Sequence, residues 1–210
     1  MKTSAKVSEG PSTICSMIEM YINWKLREID IKIVYYGPPC SGKTTNLEKI
    51  HARMPVRNQS KLVSLKTHED RTLFFDFLPL EIGECKGLKP RFNLYTVPGQ
   101  SMYISTRHLV LEEVDGIVFV ADSQHDQLCE NIRAMQEMKG HLNALGYHPG
   151  TIPLVLQFNK RDLPDLSSVE KLHQNLAQSN GTPYCEAVAI QGIGVISTLK
   201  EIINLVLSKV

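Results

Sequence analysis

Apolar residues recur along the chain in two rhythms, one of period two and one of helical spacing, and the two alternate from about residue 29 onward. Ile29, Ile31 and Ile33 alternate with polar neighbours and run into Val34-Tyr35, which predicts a strand. Thr45 to Met54 is helix-like, Pro55 to Ser60 a loop, and Lys61 to Lys66 a short strand. Leu73 to Leu78 and Arg91 to Val97 are strand-like, with a turn bracketed by Gly83 and Gly87, so these two strands are expected to be antiparallel neighbours. Pro98-Gly99-Gln100 breaks the chain ahead of a helix over Ser101 to Glu113. Gly116 to Ala121 predicts a buried strand, and Asn131 to Leu145 a helix with Ile132, Met135, Met138, Leu142 and Leu145 on one face. Ile152 to Phe158, Val169 to Gln178, Tyr184 to Ala189 and Val195 to Leu207 continue as strand, helix, strand, helix. The alternation implies an α/β fold, a mostly parallel central sheet with one antiparallel strand and helices on both faces.

The first thirty residues follow neither rhythm cleanly. Residues 1 to about 12 are polar and predict a disordered tail. Ile14, Met17, Ile18 and Tyr21 fit a helical face, whereas Ile22, Trp24 and Leu26 alternate as a strand that could pair with the one after it. The expected organisation is an N-terminal extension over 1–30 and one domain over 31–210.

Composition changes this picture little. At 210 residues, 42% hydrophobic and 21% charged, the chain suits a single globular domain. A net charge of +1 gives no general pull toward nucleic acid or anionic lipid. The five cysteines, Cys15, Cys40, Cys85, Cys129 and Cys185, form no C-x-x-C pair and are expected to be reduced thiols. No signal peptide, membrane span or lipidation motif is visible, so a cytoplasmic location is expected.

The chemistry begins at Gly37-Pro38-Pro39-Cys40-Ser41-Gly42-Lys43-Thr44, which fits G-x-x-x-x-G-K-[ST] between a strand and a helix. Backbone N–H groups of such a loop converge on one concavity and, with the positive end of the following helix, bind phosphate. Cys40, Ser41, Gly42 and Thr45 belong to that cradle, Lys43 would add a charge on the β and γ phosphates, and the Thr44 hydroxyl would ligate Mg²⁺.

Asn159-Lys160-Arg161-Asp162 follows a strand at its carboxyl end, where ligands of open α/β sheets sit. A carboxylate there accepts from both N1–H and the exocyclic amine of guanine, so Asp162 would choose the base. Asn159 would pair with N7 or tie its loop to the phosphate loop, and the Lys160 stem would cover the face of the base. Polar pairing of this kind can reject the wrong ligand by roughly 10⁴-fold. The expected ligand is GTP or GDP with Mg²⁺.

In this order these elements resemble the small Ras-like GTPases over residues 31–210. Ile33-Val34-Tyr35-Tyr36-Gly37-Pro38, Arg71-Thr72-Leu73-Phe74-Phe75-Asp76-Phe77-Leu78-Pro79-Leu80, Tyr95-Thr96-Val97-Pro98-Gly99-Gln100 and Asn159-Lys160-Arg161-Asp162-Leu163-Pro164 are similar to the MglA family, polarity switches of gliding and other polarised bacteria. The resemblance implies a P-loop small GTPase fold with slow, partner-stimulated hydrolysis. It implies that Thr72, rather than Thr67, closes on Mg²⁺ and the γ-phosphate. Gly99 senses that phosphate, Gln100 orients the attacking water, and the Ala189 backbone N–H faces the base oxygen. Arg71 is the implied arginine finger, a cation of a kind worth roughly 10³ to 10⁵ in rate. The implied partners are a roadblock-type regulator like MglB and unidentified polarity effectors, with polar localisation in the GTP form.

Two departures stand out. Thr96-Val97-Pro98-Gly99 replaces the usual D-x-x-G, as in MglA-like proteins, leaving Asp76 as a substitute carboxylate or else an edge-strand charge facing solvent. Pro39 stands where relatives carry glycine; it lacks an N–H, fixes φ and bears on hydrolysis. The alternative function is a nucleotide-gated scaffold with negligible turnover.

Overall fold

In a computed structural model, the structure describes residues 22–23, 27–54, 62–66, 72–81, 87, 89–98, 104–148 and 150–209. The elements in chain order are β1 (Ile22–Asn23), β2 (Glu28–Tyr36), α1 (Lys43–Arg53), β3 (Val63–Lys66), β4 (Thr72–Glu81), β5 (Lys89–Thr96) and α2 (Ile104–Leu111). There follow β6 (Gly116–Asp122), α3 (Leu128–Ala144), β7 (Leu154–Asn159), α4 (Val169–Leu176), β8 (Tyr184–Glu186) and α5 (Val195–Leu207). The strands lie in one sheet, in the order β3-β4-β5-β2-β6-β7-β8, with β1 added antiparallel to β2. The pairs β2–β5, β2–β6, β6–β7 and β7–β8 are parallel, and β4 runs against both its neighbours. The mostly parallel sheet that the alternation predicts is therefore present.

The two-residue period of β2 explains why helices cover both faces. Ile29, Ile31, Ile33 and Tyr35 pack with Leu47 and Ile50 of α1 and with Leu199, Ile202 and Val206 of α5. Val34 and Tyr36 point the other way, into a second cluster with Val110 and Leu111 of α2 and Met135 and Met138 of α3. All residues of β6 and β7 are buried, as strands sandwiched between two helical layers must be. This arrangement brings the carboxyl ends of β2, β6 and β7 together at one edge of the molecule.

The expected strand over Tyr184 to Ala189 is shorter than the pattern suggests. The chain leaves the sheet after Glu186 because Val188 and Ile193 exchange two backbone hydrogen bonds of 3.1 Å, folding Ala189–Gln191 into a 3₁₀ turn. The expected N-terminal helical face at residues 14–21, and the loop over 55–60, lie outside the described residues.

At the opposite end of the sheet, β2 pairs with β6 only from Ile33 onward. Asp115 completes the ladder there: its N–H donates to Lys32 O at 2.9 Å, and its Oδ2 accepts the Lys32 N–H at 2.7 Å. Burial lifts the Asp115 carboxyl to about 6, although the Lys32 N–H pulls the other way. A carboxyl raised in the folded state binds its proton more tightly there than in the unfolded chain, so stability is lost as pH climbs from its ordinary value to its raised one. Asp115→Asn is expected to gain on the parent across that window, by up to about 3 kcal/mol at neutral pH. Urea midpoints of the two proteins measured from pH about 4 to about 7 check this, and a pH-independent difference would contradict it.

Candidate nucleotide site

The phosphate loop owes its path to two close approaches. Gly37 (φ +150°) lies so near β6 that a Cβ would sit 2.2 Å from Val120 O. Gly42 (φ +102°) lies so near β7 that a Cβ would sit 2.2 Å from Asn159 Nδ2. Between them Cys40 adopts φ +57° and is exposed, as is Pro39, whose ring therefore stands on the open side of the loop. Gly42 brings no side chain to cap α1, whereas Ser168 Oγ caps α4 by accepting the Lys171 N–H at 3.2 Å. The start of α1 thus carries no side-chain cap from Gly42, which suits an anion site at a helix start.

Lys43 is buried and donates from Nζ to Gly37 O at 3.0 Å and Pro38 O at 2.7 Å. Burial pushes its pKa down to about 7, with the Arg107 cation adding to the effect and Cys40 and Asp76 opposing it. Arg107, on α2, is itself buried: its Nε donates to Pro98 O at 2.9 Å, and its guanidinium pairs with Glu137 and lies over the Tyr36 ring. Two cations therefore stand near the phosphate loop. Nothing in the apolar pattern around α2 marked Arg107 in advance.

Asp76 does not face solvent. It is fully buried, and its Oδ2 accepts the Thr44 hydroxyl at 2.5 Å and the Thr96 hydroxyl at 2.8 Å, while its N–H donates to Thr96 Oγ1 at 2.9 Å. Thr96 occupies the position where D-x-x-G carries its aspartate, so the carboxylate has moved across the ladder from β5 to β4. Hydroxyl and carboxylate oxygens are the hard donors that Mg²⁺ takes. The donor set at Thr44 and Asp76 fits that ion. Thr72 opens β4 opposite Lys66.

The base-side residues converge on the same loop. Asn159, at the end of β7, donates from Nδ2 to Ser41 O at 2.7 Å and accepts the Ala189 N–H on Oδ1 at 2.8 Å. Of the two expected roles for Asn159, the tie to the phosphate loop is thus present. The Ala189 N–H is engaged with Asn159, so a base oxygen would have to share it. One cavity of about 290 Å³ is lined by Cys40, Gly42 and Thr45 from the phosphate side and by Asn159, Lys160, Asp162, Leu163, Ala189 and Ile190 from the other. Lys160, in a left-handed conformation (φ +64°), pairs its ammonium with Asp122 at 2.7 Å. Asp122 was not singled out from sequence, although a lone carboxylate closing an apolar strand is a recognisable signal.

A buried polar chain backs this cavity. Asn46 donates to Gly42 O at 2.9 Å and to Gln157 Oε1 at 2.8 Å; Gln157 returns a bond to Asn46 Oδ1 at 2.9 Å and donates to Thr198 Oγ1 at 2.9 Å. Thr198 donates in turn to Gly194 O at 2.8 Å. It links the phosphate loop, β7, α5 and the end of the loop carrying Ala189. Gln157 interrupts an otherwise apolar run, the one mark of this chain in the sequence.

Arg71, Gly99 and Gln100 lie outside the described residues, as does Thr67.

Residues 60–208, more than half of the chain, match the family model described as Ras family. The chain belongs to the Ras family and is a GTP hydrolase. Within that family it is MglA-like: it is 49% identical over 189 residues to the mutual gliding-motility protein MglA of Myxococcus xanthus (strain DK1622), a match covering 90% of this chain and 96% of that protein. It is also 24% identical over 210 residues to the tRNA modification GTPase MnmE of Endomicrobium trichonymphae, covering 98% of this chain but 42% of that protein.

Gln157→Leu should leave the buried Asn46 Oδ1 without its donor and take one of two hydrogen bonds from the Thr198 hydroxyl, destabilising the fold by about 1–3 kcal/mol. Denaturant unfolding measures this, and an unchanged midpoint would show that the chain of amides carries no net stability.

Proposed function

We propose that this GTPase is a switch cycling between GTP and GDP in the control of gliding motility or cell polarity. The observation that carries the guanine reading is the shared cavity, in which Asp162 and Lys160 stand opposite Gly42 and Thr45 of the phosphate loop. Asp162 would accept from guanine N1–H and its exocyclic amine, hydrogen bonds that adenine cannot donate. Gliding motility is the process named for the M. xanthus relative, and cell polarity follows from the motif resemblance to the MglA family.

Each residue then has a task. The first-turn amides of α1 and the Lys43 ammonium hold the β and γ phosphates, whose charge offsets the cost of burying Lys43. Thr44, Thr72 and Asp76 would hold Mg²⁺, Asp76 through water; when bound, that ion neutralises charge on the phosphate oxygens. Gly99 senses the γ-phosphate, Gln100 orients the attacking water, and Arg71 brings a cation to the charge that develops on the transferred group. The expected trigger is a roadblock-type regulator like MglB, which repositions Arg71, and the GTP form would recruit effectors by ordering the switch loops.

Phosphate release under multiple turnover, with and without the roadblock protein, tests the cycle. GTP but not ATP should be turned over, slowly alone and faster with the partner. Arg71→Ala should lose the stimulation, roughly 10³-fold, while still binding GDP. Stimulation that survives in Arg71→Ala would remove the arginine from the mechanism, and equal turnover of ATP would reject the guanine assignment. Asp76→Asn is expected to raise the Mg²⁺ concentration needed for half-maximal retention of GTP; an unchanged requirement would return Asp76 to a purely structural role.

A further inference from the structure

We propose that Asp122 is a positioning residue for the nucleotide base, holding the Lys160 stem in place as a wall of the pocket. The inference rests on the guanine reading above.

The Asp122 side chain is 5% exposed, while Lys160 is 28% exposed, and their charged atoms are 2.7 Å apart. A surface ion pair of this length would mean little, but here the carboxylate is nearly out of water, and a desolvated pair is weak evidence of stability. Its geometry is the informative part. Asp122 is held at three other points: Oδ1 accepts the Gln124 N–H at 3.1 Å, its own N–H donates to Asn131 Oδ1 at 3.0 Å, and its carbonyl accepts from Asn131 Nδ2 at 2.7 Å. Asp122 also stands directly beside Asn159 in the β6–β7 ladder, and the next residue, Ser123, donates its N–H to Asn159 O at 3.0 Å. The carboxylate is thus fixed relative to the residue that ties the two loops together.

Lysine has the opposite tendency. Its stem has many rotamers, and its ammonium reaches for solvent when nothing holds it. In this site both ends are fixed, the backbone by its left-handed conformation and a turn closed by Leu163 N–H on Lys160 O at 3.2 Å, the ammonium by Asp122. Lys160 lines the cavity, and the methylenes between its two fixed ends are the part of the side chain that can wall a base. A stem ordered beforehand covers a flat ring without the entropy loss that an unanchored lysine would suffer on binding.

A double-mutant cycle on release of N-methylanthraniloyl-GDP from the full chain tests this, with Asp122→Asn, Lys160→Met and the double variant, and thermal melts to establish folding. In the parent background Asp122→Asn should speed release by about tenfold, the cost of one long side chain left to be ordered by the ligand. In the Lys160→Met background it should add nothing. If Asp122→Asn accelerates release equally in both backgrounds, Asp122 acts through the Gln124 turn and the proposal is overturned; no acceleration in the parent overturns it too. Should Asp122→Asn alone not fold, the double variant, which leaves neither charge unpaired, is compared with Lys160→Met: equal rates support the proposal and faster release in the double overturns it. A parent chain that retains no labelled GDP overturns the guanine reading, and this inference with it.

Discussion

Asn159 is the residue on which the site's geometry depends. One side-chain amide takes the Ser41 carbonyl on one side and the Ala189 N–H on the other, at 2.7 and 2.8 Å, both buried. The phosphate loop and the base loop come from distant parts of the chain, and nothing in local propensity requires them to meet. The bidentate amide makes them one object, and the contact is close enough that only glycine fits at position 42. The Asn46–Gln157–Thr198 chain repeats the same tie one layer deeper. A nucleotide spans both loops, so its affinity reflects how rigidly they are held to each other before it arrives.

The charges follow a second logic. Lys43 is buried among its own loop carbonyls with Arg107 nearby, and Asp76 is buried between two hydroxyls. The Asp76 carboxylate supports the Lys43 charge electrostatically, against the burial that works to remove it. The cation is suited to phosphate and the anion to a hard metal ion, which is the charge arrangement that phosphoryl transfer demands. Moving the carboxylate from β5 to β4 keeps that arrangement while leaving a threonine at the end of β5, where the next loop begins. Arg107 reaches the same loop through Pro98 O, so α2, α3 and the start of that loop are joined by one buried guanidinium.

Most of the fold was legible because its strands and helices bury apolar residues at their own periods; β6 and β7, buried throughout, are plain apolar runs. The phosphate and base motifs were legible for a different reason, since their chemistry depends on residues adjacent in sequence. What the sequence concealed are polar contacts between distant residues. Asp76 shares the buried face of β4 with Leu78 and Leu80, so the two-residue period does place it inside. A lone carboxylate argued for solvent only because its partners, Thr96 and Thr44, lie 20 and 32 residues away. Gln157 likewise reads as a blemish in an apolar strand until Asn46, 111 residues away, is seen across from it. The shortened last strand had a local cause, the bridge from Val188 to Ile193.

The central claim is that the cavity between the two loops is a guanine site chosen by the Asp162 carboxylate. Affinities of GDP and xanthosine diphosphate for the parent and for Asp162→Asn test it most directly, because xanthine carries a carbonyl where guanine carries its exocyclic amine and a carboxamide can donate to it. The parent should prefer GDP and the variant xanthosine diphosphate. A variant that keeps the parent's preference for GDP would contradict the assignment of Asp162, and with it the reading of this cavity.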